Sequence, residues 1–333
     1  MTHFDAYGIG NALLDTEYEV TDNFLVSQGF VKGRRHQIDF DGKQKLLATL
    51  EAVPSRSSAG GSVANSIYAA QGFGCKCGFL GLMAKDYEGF TYQQEMVAAG
   101  IDVSAFATSS DSHTGHCLVF ITPEGERTMV AEVGVSGELA PQHVEEAKVA
   151  NSEIVFLEAY LACTPNNQAT ALKVAKLASQ FKRRLALTLS DVLIIDEYRE
   201  FLQEICEFGL DVLFCNVDEA KCWANRESIE AALQQLINDT NIAVVTDAGK
   251  GCYVASRAQS MEKVSGYPIE AVDCTGAGDM FAGAFLTGLT KQWDLLGCAK
   301  FANFAASRTV ANFGARFPTI EHYREVSNEF RGD

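Results

Sequence analysis

The sequence predicts an α/β protein with three αβα layers, in which a mainly parallel central sheet lies between helices and a small second sheet serves as a lid. From residue 154 to 246, short apolar strands alternate with amphipathic helices. This alternation is typical of a parallel sheet covered on both faces. Two alternating segments at 115–122 and 127–133 flank a turn that contains Gly125, and they predict a separate hairpin.

The expected strands of the central sheet are short and apolar, and the first of them ends in glycine. They are predicted at 4–10, 77–83, 154–157, 185–189, 212–215 and 242–246. Helices are predicted at 92–99, 167–181, 194–206, from 218 onward, and at 228–238. Ligands bind beyond the carboxyl ends of parallel strands, so polar residues at these ends are candidate site residues.

The segment from 16 to 58 interrupts this rhythm. It is polar and irregular in pattern, with one helix expected at 43–52. We expect segments 13–40 and 113–136 to form the lid sheet, and the rest of chain 1–333 to form one large α/β domain. A lid over a reaction site excludes water.

Composition narrows the class of protein. The 333 residues are 47% apolar and 21% charged, which is ordinary for a globular chain. The net charge of −16 argues against binding to nucleic acid or anionic membranes. The chain shows neither a signal-peptide pattern nor a long apolar run, so we expect a cytoplasmic protein. The ten cysteines lack metal-binding or redox spacing, and we expect buried free thiols.

The stretch 272–285 carries the strongest chemical signal. Its small residues allow close approach of a ligand, and the turn opens a helix whose free N–H groups at Gly276, Ala277, Gly278 and Asp279 would converge on an anion. Asp279 would repel a bound anion, so its position is unfavourable for anion binding alone. It is favourable if Asp279 takes a proton from a hydroxyl that attacks the anion. A base next to an anion-binding turn predicts phosphoryl transfer. The plainer alternative is a glycine-containing helix start with an acid in its first turn.

Two further stretches lie at predicted element ends. Asn11 and Asp15 follow the first strand, where a carboxylate can accept hydrogen bonds from both hydroxyls of a diol, or can be a solvated loop acid. Gly60 and Gly61 precede a helix whose first turn holds Asn65. The glycines allow close ligand approach, and Asn65 is either a substrate contact or a helix cap.

Three of these strings resemble one known family. Asp-x-Thr-Gly-Ala-Gly-Asp followed by Met-Phe-x-Gly-Ala-Phe at 273–285 closely resembles the second signature of the ribokinase-like (PfkB) sugar and nucleoside kinases. Gly-Gly-x-x-x-Asn at 60–65 resembles their first signature. Gly-Asn-x-Leu-Leu-Asp at 10–15 is similar to the N-terminal motif of the adenosine kinases within that family.

The resemblance implies a ribokinase-like fold, ATP and Mg²⁺ as cofactors, and a nucleoside phosphorylated at its 5′-hydroxyl. It leaves open K⁺ at a monovalent-cation loop containing Asp273, and a monomer or homodimer. Alternative functions are a kinase of a free sugar or sugar acid, whose lid would need a basic residue such as Arg34 or Arg35, and a non-catalytic nucleoside-binding homologue. His36 or Gln37 would lie near a polar lid contact.

The resemblance also assigns roles to individual residues. Substrate contacts would come from Asn11, Asp15, Gly60, Gly61, Asn65, Cys117, Ala131 and Tyr160. Contacts to the nucleotide would come from Asn216, Thr246, Gly249, Gly251, Asn303 and Gly314. Glu219 would help to hold Mg²⁺ through water. Structural alternatives remain open for several of them: a helix cap at 216–219, a tight turn at 246–251 and simple packing of Tyr160.

Overall fold

A computed structural model describes residues 3–106 and 112–332. Its strands are β1 (Phe4–Ile9), β2 (Leu13–Glu19), β3 (Arg35–Gln37), β4 (Ser55–Gly60), β5 (Cys77–Met83), β6 (Asp102–Phe106), β7 (Gly115–Ile121), β8 (Arg127–Glu132), β9 (Ser152–Glu158), β10 (Arg184–Thr188), β11 (Val212–Asn216), β12 (Ile242–Thr246), β13 (Cys252–Ser256) and β14 (Glu262–Val264). Its α-helices are α1 (Asp22–Ser27), α2 (Phe40–Leu50), α3 (Ser62–Gly72), α4 (Tyr87–Ala98), α5 (Glu146–Ala150), α6 (Pro165–Gln180), α7 (Val192–Glu207), α8 (Val217–Ala224), α9 (Ile229–Asp239), α10 (Ala277–Thr290), α11 (Leu295–Val310) and α12 (Ile320–Arg331).

The larger sheet confirms the predicted mainly parallel α/β fold. Its strand order is β14-β13-β12-β11-β10-β9-β1-β5-β6. Every neighbouring pair from β12 to β6 is parallel, and β13 and β14 add an antiparallel edge. Side chains alternate between two cores: Ile154 and Phe156 of β9 face one, Val155 and Leu157 the other. The sheet is therefore buried on both faces, as parallel sheets are.

The second sheet has the order β3-β8-β7-β2-β4. Its β7–β8 hairpin is the predicted one, and β2 and β3 pair with it in parallel. One face packs against α1 and α2 through Leu25, Leu46 and Phe120. The opposite face presents the small apolar cluster Leu13, Cys117, Val119, Ile121 and Ala131, whose position is described with the site below.

The expectation of an irregular segment from 16 to 58 was wrong. The segment contains most of β2 together with α1, β3, α2 and β4. Strand β4 is polar because residues 55–58 are exposed, and backbone pairing to β2 holds it in place. Helix α2 begins at residue 40 rather than 43 because the Asp39 side chain accepts a hydrogen bond from the Gly42 N–H.

Two observations bear on the compositional expectations. All ten cysteines are free; six are buried, three are partly exposed and Cys274 is exposed. Among the described helices, none combines the length and apolar character needed to cross a membrane.

Candidate active site

Two cavities meet at the loop that precedes α10. One has a volume of about 450 Å³ and is lined by Gly276 and Asp279. The other has a volume of about 430 Å³ and is lined by Ala277 and Gly278. Cys274 lines both. We call the first the acceptor cavity and the second the nucleotide cavity; both have the size of a small-molecule site.

Backbone geometry explains the glycine at position 276. Gly276 caps α10 with a left-handed φ of 69°, which favours glycine. A Cβ there would lie 2.5 Å from the Ala315 Cβ and 2.7 Å from its carbonyl oxygen. The Ala277 N–H donates to the Cys274 carbonyl. The N–H groups of Gly278 and Asp279 have no acceptor among the described residues, so they are free to bind an anion at the positive end of α10.

The Asp279 carboxylate is held by two residues of α3. Its Oδ1 accepts a hydrogen bond from the Ser62 hydroxyl at 2.6 Å, and its Oδ2 accepts one from the Asn65 amide at 3.0 Å. Burial raises the pKa of Asp279 to about 6, although these hydrogen bonds and Arg316 oppose the rise. A carboxylate with a pKa near neutrality is suited to accept a proton.

Arg316 in turn holds the Asn65 side chain in place. Its Nε donates to the Asn65 Oδ1 at 2.8 Å, its Nη1 forms an ion pair with Glu95 at 2.9 Å, and its guanidinium lies over the Tyr68 ring. The sequence assigned no role to Ser62, and it placed Arg316 in the string 314–316 that resembles the wall around the adenine of ATP. Ser62 stands inside the Gly-Gly string, which was the available signal, whereas nothing in sequence order connects Arg316 with Asn65.

Asp15 and Glu158 bring two more carboxylates to the acceptor cavity. A Cβ on Gly60 would lie 2.2 Å from the Asp15 carboxylate, so Gly60 leaves the space that Asp15 occupies but does not itself line the cavity. Glu158 accepts hydrogen bonds from the N–H groups of Asn11 and Val63. Burial raises the pKa of both acids to about 7. The sequence did not identify Glu158.

The other predicted acceptor residues lie where the two sheets face each other. Gly61 has a φ of 100°, and a Cβ there would lie 2.2 Å from the Asn11 carbonyl oxygen. The remaining predicted residues that line the cavity are Asn11, Asn65, Cys117, Ala131 and Tyr160. The pairs Asp15–Cys117 and Cys117–Ala131 are in register across β2, β7 and β8. The apolar face of the second sheet therefore covers the acceptor cavity.

Arg35 also lines this cavity, whereas its neighbours on β3 do not. Its guanidinium carbon lies 4.3 Å from the centroid of the Tyr160 ring. The His36 ring instead hydrogen-bonds to the backbone of Val31, and Gln37 is exposed. Neither His36 nor Gln37 is placed as a cavity contact.

Five of the six residues expected to contact ATP line the nucleotide cavity: Asn216, Thr246, Gly249, Gly251 and Asn303. Apolar side chains line it as well, including those of Tyr267, Ile269, Phe281, Ala306 and Val310, and such a lining suits a planar base. The Asn303 amide donates to the carbonyls of Val264 and Ser265, so Asn303 also holds the loop after β14. The turn at 246–251 is indeed a connection between antiparallel strands.

Gly314 and Asp273 lie together outside the nucleotide cavity. The Gly314 N–H donates to the Asp273 carboxylate, which also accepts from the Thr275 N–H and pairs with Arg127. Gly314 thus supports the loop before α10 rather than lining the nucleotide cavity. Its φ of 92° explains the glycine.

Glu219 is the nearest fit to a magnesium ligand. It forms the expected capping box with Asn216, accepting from the Asn216 N–H at 3.0 Å and from its amide at 2.7 Å. Burial raises the pKa of Glu219 to about 7, so a nearby cation would favour its charged form. The one three-residue group of metal-ligand type found among the described residues is His3, Asp5 and Glu153, at the amino ends of β1 and β9 and not at the carboxyl ends that carry the site. Glu219 would contribute to a Mg²⁺ site through water, as the resemblance implies.

The chain belongs to the pfkB family of carbohydrate kinases, whose family model matches residues 37–322. It is therefore a kinase with an alcohol acceptor and a small-molecule substrate, and kinases of this family use ATP and Mg²⁺.

Two solved structures share this fold over almost their full length, and one sequence relative is similar over almost its full length. Adenosine kinase from Sinorhizobium meliloti is 30% identical, with a TM-score of 0.90 over 97% of this chain and 99% of that one. A probable sugar kinase from Rhizobium etli is also 30% identical, with a TM-score of 0.92 over 100% and 99%. Adenosine kinase of Saccharomyces cerevisiae is 23% identical over 93% of this chain and 96% of its own. These relatives do not decide between nucleoside and sugar.

Proposed function

We propose that the protein transfers the γ-phosphoryl group of ATP to the 5′-hydroxyl of a nucleoside. The observation that carries this proposal is the set of side chains that line the acceptor cavity. A candidate base, a carboxylate and an aromatic ring, from Asp279, Asp15 and Tyr160, line the same cavity. These groups match the hydroxyl that reacts, the ribose diol and the base of a nucleoside. Asp15 has no hydrogen-bond donor among the described residues, which leaves both of its oxygens for the diol.

Each group then has a defined task in the reaction. Asp279 takes the proton of the 5′-hydroxyl, while Asn65 and Ser62 hold its carboxylate in place. The N–H groups at the start of α10 stabilise the charge on the transferring phosphoryl group. Mg²⁺ bound with ATP would neutralise phosphate charge, with Glu219 contributing through water. The second sheet acts as the lid that excludes water from the acceptor.

The substrate is tested by a coupled assay of ADP release with Mg-ATP. The acceptors are adenosine, inosine, guanosine, cytidine, ribose, fructose and 2-keto-3-deoxygluconate. We expect turnover of at least one nucleoside and of none of the free sugars. Turnover restricted to a sugar or a sugar acid would retain the phosphoryl-transfer chemistry and reject the nucleoside.

The pH dependence of kcat/KM tests the role of Asp279. Because a protonated carboxyl cannot accept the substrate proton, we expect kcat/KM to fall at least about tenfold per unit below about pH 6, and protonation of Asp15, whose pKa is about 7, adds to the loss through acceptor binding. The free energy of unfolding is expected to change with pH in the opposite direction. The folded pKa of Asp15, Glu158 and Asp279 lies above the usual value, so the folded protein binds these protons more tightly and their contribution favours folding as pH falls from about 7. Thermal unfolding at each pH therefore separates the loss of the base from denaturation, and a pH-independent kcat/KM would contradict the assignment.

A sugar acid is the second candidate substrate, and Arg35 is the observation that favours it. Its guanidinium occupies the face of Tyr160 on which a base would stack, and a cation there is suited to a carboxylate. A nucleoside base would have to displace Arg35 from the ring.

Arg35→Gln separates the two candidates. For a sugar acid we expect KM to rise roughly 10- to 150-fold, because a charged hydrogen bond of about 1.5–3 kcal/mol is lost. For a nucleoside we expect KM to stay the same or to fall, because the base no longer has to displace the guanidinium from the Tyr160 ring. Arg34→Gln, at the exposed neighbouring position, is the matched control and leaves both values unchanged. A large rise in the nucleoside KM of Arg35→Gln alone would contradict the stacking role proposed for Tyr160.

A further inference from the structure

Arg127 connects the second sheet to the loop before α10. It begins β8, lines the acceptor cavity and has a side chain that is 8% exposed. Its Nη1 forms an ion pair with Glu17 of β2 at 3.1 Å, and its Nη2 pairs with the Asp273 carboxylate. One guanidinium therefore joins two strands of the lid to the loop that carries the phosphoryl-binding N–H groups. Its planar shape suits two carboxylates at once.

Asp273, the partner of Arg127 in this ion pair, holds the backbone of the loop before α10. The carboxylate is almost fully buried, at 1% exposure. Its Oδ1 accepts from the Thr275 N–H at 2.8 Å, and its Oδ2 accepts from the Gly314 N–H. Thr275 is the residue before Gly276, so this contact fixes the backbone where α10 begins. A buried carboxylate with no compensating cation would be strongly destabilising.

The turn between β7 and β8 lies on the same loop. A Cβ on Gly125 would be 3.2 Å from the Val272 carbonyl oxygen, so the lid touches the backbone beside Asp273. The contact and the ion pair together mark this as the place where lid position and loop geometry are coupled.

The side chain of Asp273 does not fit a monovalent cation. The positive charge that a bound K⁺ would bring to this carboxylate is already supplied by Arg127, and both carboxylate oxygens also accept backbone N–H groups. The structure thus differs from the K⁺ loop that the family resemblance left open at Asp273.

We propose that Arg127 is a positioning residue that orders the 273–276 loop when the lid covers the acceptor cavity, and that it makes the kinase independent of K⁺. The inference rests on the proposed role of the start of α10 in binding the transferring phosphoryl group. It does not depend on which acceptor is phosphorylated. Loss of Arg127 leaves Asp273 uncompensated and misaligns the N–H donors, so the effect falls on kcat more than on the KM of the acceptor.

The test uses the full-length protein, Mg-ATP and whichever acceptor it turns over. Wild type, Arg127→Ala and Arg127→Lys are assayed in tetramethylammonium buffer, with and without K⁺, and with millimolar guanidinium. We expect less than about twofold K⁺ dependence in the wild type and a loss of about 10²-fold in kcat for Arg127→Ala. Guanidinium should restore part of that loss, and Arg127→Lys should retain more activity than Arg127→Ala. A structural role alone would not produce rescue by guanidinium.

Several outcomes would overturn the inference. Strong K⁺ activation of the wild type would contradict it, and this measurement needs no variant, so the proposal stays testable even where Arg127→Ala does not fold. Full activity of Arg127→Ala would also contradict it. A third contradicting result is a folded Arg127→Ala variant whose loss of kcat is unchanged by guanidinium. Arg183→Ala removes a partly exposed arginine whose Nε donates to the Phe181 carbonyl, and it serves as the matched control with unchanged kcat. A substrate other than a nucleoside would refute the proposed function without affecting this test.

Discussion

Replacing Asp279 with asparagine is expected to lower kcat by about 10²- to 10⁴-fold, the usual contribution of a positioned general base. The amide cannot accept the proton of the attacking hydroxyl. It can still accept a hydrogen bond from Ser62 or Asn65, the partners that hold the native carboxylate. Acceptor binding and thermal stability should therefore change little. The measurements are kcat by ADP release, acceptor affinity by calorimetry, and the unfolding midpoint.

The matched control for this variant is Asp294→Asn. Asp294 is exposed, caps α11 by accepting from the Gly297 N–H at 2.6 Å, and lines neither cavity. Asparagine caps helices about as well as aspartate, so kcat should match that of the wild type. Parallel loss of acceptor affinity and kcat in Asp279→Asn would mean that Asp279 maintains the shape of the site instead of accepting the proton.

Replacing Gly276 with alanine is expected to produce the second large effect. Alanine is strained at a φ of 69°, at a cost of about 1–3 kcal/mol. Its Cβ would also overlap Ala315. The loop must move, so the N–H donors lose their alignment and kcat should fall by about 10²- to 10³-fold. Steady-state kinetics and denaturant unfolding measure the two consequences.

Gly278→Ala provides the comparison. A Cβ at this position meets no atom within 4 Å, so the fold should keep its stability. The methyl group would enter the nucleotide cavity, which Gly278 lines, and should raise the KM for ATP. Gly276→Ala with wild-type kcat, or Gly278→Ala with the larger loss of stability, would contradict the roles assigned to these two glycines.

The fold and the local motifs were predictable from sequence because each depends on residues close together in the chain. Strand and helix alternation gave the parallel sheet, and the string ending in Asp279 gave the turn and helix start. Strand β4 was missed because an exposed edge strand needs no apolar alternation. Helices α11 and α12 and the short strands β6 and β14 had no prediction either.

The residues that support the site could not be found in the same way, because their partners are distant in sequence. Ser62 is 217 residues from Asp279, and Arg316 is 251 residues from Asn65. Arg127 is 146 residues from Asp273, and Glu158 binds the Asn11 N–H across 147 residues. No local pattern identifies such pairs. Gly314 is a further example, because its motif was assigned to nucleotide binding, whereas in the structure its N–H donates to Asp273.

The most direct test of nucleoside phosphorylation follows the phosphoryl group itself. The protein is incubated with Mg²⁺ and ATP labelled in the γ-phosphoryl group, together with adenosine, inosine or guanosine, and the products are identified by mass spectrometry and ³¹P NMR. The matching 5′-deoxynucleoside, which lacks the reacting hydroxyl, is the control. We predict a labelled nucleoside 5′-monophosphate from at least one nucleoside and none from its 5′-deoxy analogue. The absence of label from every nucleoside, together with label on a free sugar or sugar acid supplied in a parallel reaction, would contradict the proposed function.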